Sequence, residues 1–410
     1  MRDGWKRVKI GDLGQVITGN TPPKKDPLNY GSEYPFIKPT DMDIDRRYVT
    51  TWDENYSEKA FKKYKNSYIP PKATGVVTIG TVGEKIFQAD RYCFTNQSVN
   101  VVIPNDDYDE DFVYYVLKIN LPKVLNANPG TASGRHHVSK SNFCAIKIDV
   151  PKSKETQRQI ASILSAYDDL IENNLKRIKL LEEQAQQTYE EWFVRMKFPG
   201  YETANFDTES GLPVGWEKLE LGSLINLQSK MINPKSLNKN TPYIGLEHIP
   251  RKSITLSNWE TVEKVNSSKY RFKKGDILFG KIRPYFHKVG VALIDGVASS
   301  DTIILRPKKN NLHGLILQTV YSNHFVDSAT QSSNGTKMPR ANWEVLQKYP
   351  VIIPKDNLIQ EYNKIGAYIL ELISTYVSQN QRLQEARDIL LPRLMTGMID
   401  SSTCLGQGVS

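Results

Sequence analysis

The sequence predicts an α+β protein with two similar domains joined by two long antiparallel helices, a coiled coil with a pseudo-two-fold internal repeat. Three observations predict it. A heptad stretch without Pro or Gly runs from Thr156 to Lys197, a series of short strand and helix signals occurs twice, and a second heptad stretch closes the chain.

The first series opens with Gly4-Trp5-Lys6-Arg7-Val8-Lys9-Ile10-Gly11-Asp12-Leu13, and Gly215 to Leu224 repeats it around Trp216. Each reads as a strand running into a turn and a helix start. Tyr34-Pro35-Phe36-Ile37 has its counterpart in Pro242-Tyr243-Ile244. Gly75 to Gly80 is matched to Gly275 to Gly280, both buried-strand patterns closed by glycines. Asn96 to Pro104 answers to Ser299 to Pro307. Each half then has an apolar helix, a polar Gly-containing loop, and a strand ending in Val150-Pro151-Lys152 or Ile353-Pro354-Lys355.

In the central helix the heptad series Ile160, Tyr167, Asn174, Leu181, Thr188 and Leu164, Ile171, Ile178, Ala185, Trp192 form one narrow seam. Thr156 with Gln159 is expected to cap it, and Pro199-Gly200 to end it. At ~1.5 Å per residue it is on the order of 60 Å long. The last helix is expected from Asn357, with Gln360 completing a capping box, to Pro392. The expected division is 1–154 and 199–356 for the domains, 155–198 and 357–400 for the helices, and 401–410 for a disordered tail.

Packed antiparallel, the helices are expected to set Asn174 opposite Asn380, since facing amides satisfy each other. That register pairs Ile171 with Leu383, Ile178 with Tyr376, Leu181 with Ile373, Ala185 with Ile369, and Leu164 with Leu390. The domains would then stand at opposite ends of a rod, matching the local two-fold axes of duplex DNA.

The formal charge of +9 points to a polyanionic partner, although charge alone fits a merely soluble protein as well. No apolar run is long enough to span a membrane, and the first residues lack a secretory core. The cysteines Cys93, Cys144 and Cys404 form neither disulfide nor zinc spacing, so a cytoplasmic location is expected.

Catalytic motifs are missing. No lysine follows Asp or Glu at the two-residue spacing of metal-dependent nucleases. Neither Pro22-Pro23 nor Pro70-Pro71 is followed by the aromatic residue of amino-methyltransferases. Gly275 to Lys281 has phosphate-loop spacing, but Ile282 replaces the hydroxyl and Ile277-Leu278-Phe279 reads as buried strand. None of the six histidines stands at metal-ligand spacing.

Candidate DNA contacts therefore come from basic and polar loops. In the first half these are Lys38, Thr40, Arg46, Arg47, Thr81, Lys85, Asn96 and Gln97, with Arg135, His136, His137 and Lys140 in one Gly-containing loop. In the second they are His248, Lys281, Arg283, Lys288 and Ser300, with Asn334, Lys337 and Arg340 in the matching loop. Arg, Asn and Gln can read base edges in pairs of hydrogen bonds, and lysines find phosphates. Each alone reads as a solvated side chain; the group carries the expectation. The run Lys59 to Lys65 fits either a nucleic-acid contact or an exposed helix face.

The chain resembles the specificity subunits of type I restriction–modification enzymes over nearly its whole length. The resemblance rests on the two Trp openings, Gly211-Leu212-Pro213-Val214-Gly215-Trp216, and Pro151 to Gln159 leading into Ile160-Ala161-Ser162-Ile163-Leu164. Trp192-Phe193-Val194 and Leu390-Leu391-Pro392-Arg393-Leu394-Met395 complete it. Gly366 and Arg387 depart from it by occupying seam positions. It implies two target recognition domains, each reading half of a split site in double-stranded DNA. The helices would act as ruler and as dock for two methyltransferase subunits, joined by motor-nuclease subunits. S-adenosylmethionine, ATP and magnesium would belong to those partners, with no cofactor on this chain and no membrane. Two other readings fit the same residues: a stand-alone DNA-binding regulator that self-associates through its helices, and a structural adaptor.

Overall fold

Trp5–Lys9 pairs antiparallel with Lys147–Pro151, Trp5 opposite Pro151, which closes the first repeat on itself. Glu217–Glu220 and Pro350–Ile353 do the same for the second. The computed structural model describes residues 3–127, 136–333, 335 and 337–401. They fall into two units, Met1–Asn173 with Asn380–Ser410, and Asn174–Gln379.

Each unit holds an antiparallel four-stranded sheet of identical connectivity. In the first the order is Gly14–Thr18, Val99–Pro104, Thr74–Val77, Ile86–Gln88; in the second it is Ile225–Leu227, Thr302–Pro307, Ile277–Gly280, Val289–Val291. Thr74–Val77 and Ile277–Gly280 are buried at every position, as central strands covered on both faces must be. One face packs on the apolar helix that follows. Val76, Ile86 and Val102 share a core with Phe112, Val113 and Val116, and Ile277, Phe279 and Leu305 share one with Leu315, Ile316 and Val320.

The hydrogen bonds correct the repeat by three residues. Lys72 N donates to Ala89 O at 2.7 Å, and Gly275 N donates to Ala292 O at 2.8 Å. Thr74 stands opposite Val102, and Ile277 opposite Leu305. Lys72, not Gly75, is thus the counterpart of Gly275, and both have positive φ, 70° and 89°. Matching glycine to glycine misplaced the strand because a lysine holds the left-handed position in the first half. The second sheets share a parallel pair, Tyr34–Ile37 with Phe94–Thr95 and Pro242–Ile244 with Gly296–Ala298, but differ in their outer strands.

The central helix spans Lys154–Tyr189 and continues as a π turn over Glu190–Val194. Its cap is Ser153, whose Oγ accepts the Thr156 amide at 3.4 Å, so Thr156 lies inside the helix. The C-terminal helix spans Asp356–Met395 with Pro392 inside it. Pro392 does not end it because a proline in the last turn forfeits only one backbone bond. Ser401 is buried and donates to Gln159 Oε1 at 3.0 Å, so the expected tail does not begin there; the rest of it lies outside the described residues.

The helices pack antiparallel within each unit. In the first, Ile160 and Leu164 share a core with Leu391 and Leu394, with Leu390 at its margin. In the second, Ile178, Ala185, Ile369 and Ile373 form a cluster with Leu181 and Tyr376 beside it. Asn174 Nδ2 donates to Gln379 Oε1 at 3.3 Å, and Asn380 Nδ2 to the Ile171 carbonyl at 3.5 Å. The two departures at the seam have distinct roles. Gly366 lies against helix His313–Tyr321, where a Cβ would stand 3.5 Å from Gly314 Cα, an ordinary van der Waals contact. Arg387 forms a buried ion pair with Asp168.

Candidate nucleic-acid interface

Three loops meet at one end of the four-stranded sheet in each unit. In the first, Thr78 N donates to Ser98 O at 2.8 Å, Gly80 N to His136 O at 3.0 Å, and Val138 N to Thr78 O at 2.8 Å. In the second, Lys281 N donates to Asp301 O at 2.8 Å, Arg283 N to Pro339 O at 2.7 Å, and Ala341 N to Lys281 O at 2.9 Å. The bonds correspond one for one. Segments far apart in the chain are thereby fixed side by side: two leave neighbouring strand ends, and the third is held to them by these backbone bonds.

Many expected contacts converge there. In the first unit the cluster carries Thr81, Gln97, His136 and His137, all exposed, with Asn96 half-buried and Lys140 exposed just beyond. In the second it carries Lys281, Arg283 and Ser300, half-buried, with Lys337 and Arg340 exposed. Arg340 pairs with Asp301 at 3.4 Å. Arg135 and Asn334 lie outside the described residues.

Other expected contacts have structural work instead. Arg47 is 1% exposed, held by Asp111 and by Gln88 Oε1 at 2.7 Å, and so cannot meet DNA. Burial opposes ionisation of Asp111, but Arg47 and Lys72 outweigh it and hold the carboxyl below its ordinary range. Arg46 pairs with Glu172 of the central helix at 2.7 Å. The corresponding loop of the second unit is fastened in the same way. Glu182 Oε1 accepts from Ser253 Oγ at 2.7 Å, from Thr255 Oγ1 at 2.6 Å, and from the Ile254 and Thr255 amides at 3.0 Å. Burial nevertheless pushes the Glu182 pKa up.

Lys85 Nζ donates to Pro39 O at 2.8 Å, and Lys288 Nζ donates to Leu246 O. Each lysine anchors a 3-10 turn, Pro39–Asp41 or Leu246–His248. Burial lowers the Lys288 pKa. His248 is buried and its Nδ1 accepts the Gly245 amide at 2.9 Å, as Asp41 Oδ2 accepts the Lys38 amide at 2.8 Å. His248 is therefore a cap and not a base reader. Lys38 pairs with Glu54 at 3.3 Å, while Thr40 is exposed. In the Lys59 to Lys65 run the aromatics face inward: Phe61 stacks on Tyr34 at 4.5 Å, and Lys59 pairs with Asp26 at 2.6 Å.

Among the described residues, no group of three or more His, Cys, Asp and Glu could hold a metal ion, and no helix is long and apolar enough to cross a membrane. What the two clusters offer is hydrogen-bonding and cationic side chains on rigid loops, suited to binding.

Comparison with known proteins agrees. The chain is 25% identical over 414 residues to the type I restriction enzyme MjaIX specificity subunit of Methanocaldococcus jannaschii, covering 96% of this chain and 93% of that protein. It is 31% identical over 182 residues to the HindI specificity subunit of Haemophilus influenzae, covering 44% of this chain and 39% of that protein. A crystal structure of a type I restriction-modification system S subunit from M. genitalium shares the fold, with a TM-score of 0.55 at 16% identity over 95% of this chain and 96% of that one. The family model of the type I restriction modification DNA specificity domain matches residues 2–183 and again 213–386. With one such domain in each half, the chain belongs to the type I restriction modification DNA specificity family.

Proposed function

We propose that each half of the chain reads one part of a bipartite double-stranded DNA target in a type I restriction–modification complex. The helices set the gap between the two parts and dock two methyltransferase subunits. Motor-nuclease subunits complete the assembly, and S-adenosylmethionine, ATP and magnesium act on those partners in the cytoplasm. The chain itself carries no catalytic residue.

The supporting observation is the three-loop cluster, built by the same backbone bonds in both halves from different side chains. Thr81, Gln97, His136 and His137 on one framework, and Lys281, Arg283, Lys337 and Arg340 on its copy, would read different bases. Exchanging residues 1–154 for those of a relative tests it, with the methylated sequence of the host as readout. One half of the target should change, while the other half and the gap stay. A change in both halves would overturn the two-module reading.

A further inference from the structure

The two clusters differ in the turn that follows the shared left-handed residue, Gly80 or Arg283. The first unit buries Val82 at 2% exposure, and the second holds its counterpart Tyr285 51% exposed. Tyr285 lies in the turn Pro284–Phe286. The residues on either side, Arg283 and His287, are left-handed with φ of 50° and 53°. In the first unit the residue matching Arg283 is Gly80, with φ of 91°. Left-handed residues with side chains persist only where their surroundings over-determine them. Here the Arg283 amide donates to Pro339 O at 2.7 Å, the Phe286 amide to Arg283 O at 2.9 Å, and the His287 amide to Pro284 O at 2.8 Å. His287 Nε2 is fixed on Tyr321 O at 2.6 Å. The turn is rigid, so Tyr285 is held outward by the backbone.

Met338, also 51% exposed, adjoins Pro339 and thus the same turn. Cations stand beside this turn. The Arg251 guanidinium lies 4.0 Å from the Phe286 ring centroid, Arg283 flanks the turn, and Lys337 precedes Met338. Lys252 is tied to it through its amide, which donates to His287 O at 3.0 Å. Of the acids nearby, Asp301 is already paired with Arg340, while Asp327 bears on His287 and Glu247 on Lys288. An exposed aromatic and a thioether beside a turn flanked by cations match a polyanion whose apolar interior opens between stacked bases.

We propose that Tyr285, with Met338, is an apolar wedge that enters a base step in the half-site read by the second module and unstacks it, while the neighbouring cations hold the phosphates. This rests on the reading of the chain as a DNA specificity subunit. The wedged step should be a flexible pyrimidine–purine step, where unstacking costs least. The first module reads its half without a wedge.

The test uses the full chain with its methyltransferase partners and a duplex of the host's methylated target carrying 2-aminopurine at successive positions. Apart from the base that a methyltransferase subunit flips out in each half, binding should raise fluorescence several-fold at one further step of the second module's half-site and at no further step in the other half. Tyr285→Ala should abolish the rise and weaken binding roughly ten-fold, in the range of lost base–aromatic stacking. Tyr285→Phe should keep both, since the wedge needs the ring and not the hydroxyl. Thermal unfolding of Tyr285→Ala should match the parent chain, because the ring is exposed. Tight binding with no rise beyond the flipped target bases, or a further rise that survives Tyr285→Ala, would overturn the wedge. So would a Tyr285→Ala protein that binds DNA normally but loses its methyltransferase partners, which would make this a protein-docking face. If the parent complex binds no duplex in preference to another, the DNA-specificity reading fails and the wedge falls with it.

Discussion

Asp168 of the central helix and Arg387 of the C-terminal helix form an ion pair at 2.6 Å, with side chains 3% and 1% exposed. Arg387 also donates to the carbonyl of Asp45 at 3.3 Å, and Asp168 accepts the Tyr115 hydroxyl at 2.6 Å. Helix, helix and domain are thus joined through two side chains. Removing one partner leaves a buried charge alone, which costs roughly 3–5 kcal/mol. Arg387→Ala should therefore lower stability in urea unfolding by about that amount, and Asp168→Leu with Arg387→Met should cost less than either single change. A single-variant cost below about 1 kcal/mol would show that water reaches the pair.

Exposure separates two basic residues that look alike in the sequence. Lys337→Ala should leave unfolding unchanged, weaken DNA binding, and flatten its salt dependence by about one unit of slope if it meets a phosphate. Arg47→Ala should do the reverse, losing stability by breaking its contacts with Asp111 and Gln88. Its salt slope, measured on whatever fraction stays folded, should match the parent. A flattened slope for Arg47→Ala would place that side chain on the DNA.

The register in which Asn174 meets Gln379 and Asn380 meets the Ile171 carbonyl is proposed to set the distance between the two half-sites. One heptad inserted into the central helix alone should shift or abolish the preferred gap and leave the bases read on either side unaltered. Methylome sequencing reads both. An unchanged gap with full activity would detach the ruler from this register.

Two histidines predict how acid acts on the second unit. His287 Nε2 lies 2.6 Å from Tyr321 O and His313 Nε2 lies 2.6 Å from Gly275 O, so in both the proton sits on Nε2. Burial lowers both pKa values below the ordinary 6.5 despite those carbonyls. For a depressed folded pKa the stabilisation is complete above the unfolded value and is lost as pH falls through the folded one. Amide exchange should therefore show the Asn174–Gln379 unit losing protection as the pH falls below about 6.5. His287→Gln with His313→Gln should flatten that loss. Identical acid losses in both variants and parent would remove the histidines as its cause.

The repeat, the helices and the order of elements were legible in the sequence because each follows from local periodicity and punctuation. Trp5 and Trp216 mark equivalent strands, and the seam positions of the two helices are buried or half-buried. Gly75 stands three residues out of step with Gly275 because the left-handed position that Gly275 fills is held by Lys72 in the first copy.

Which basic residues face outward was decided by the tertiary structure alone. Residue type states what an arginine or lysine can donate, but not who accepts. The acceptor of Arg46 is 126 residues away in Glu172, that of Arg47 is 64 away in Asp111, and that of Lys288 is 42 away in Leu246. Such partners meet only when the sheet and helices bring them together, and a buried cation must then be paired, whatever its promise as a DNA contact. The same folding gathered Thr81, Gln97 and His136, and Lys281, Arg283 and Arg340, onto neighbouring loops. The sequence supplied the set of candidates, and the sheet edge selected among them.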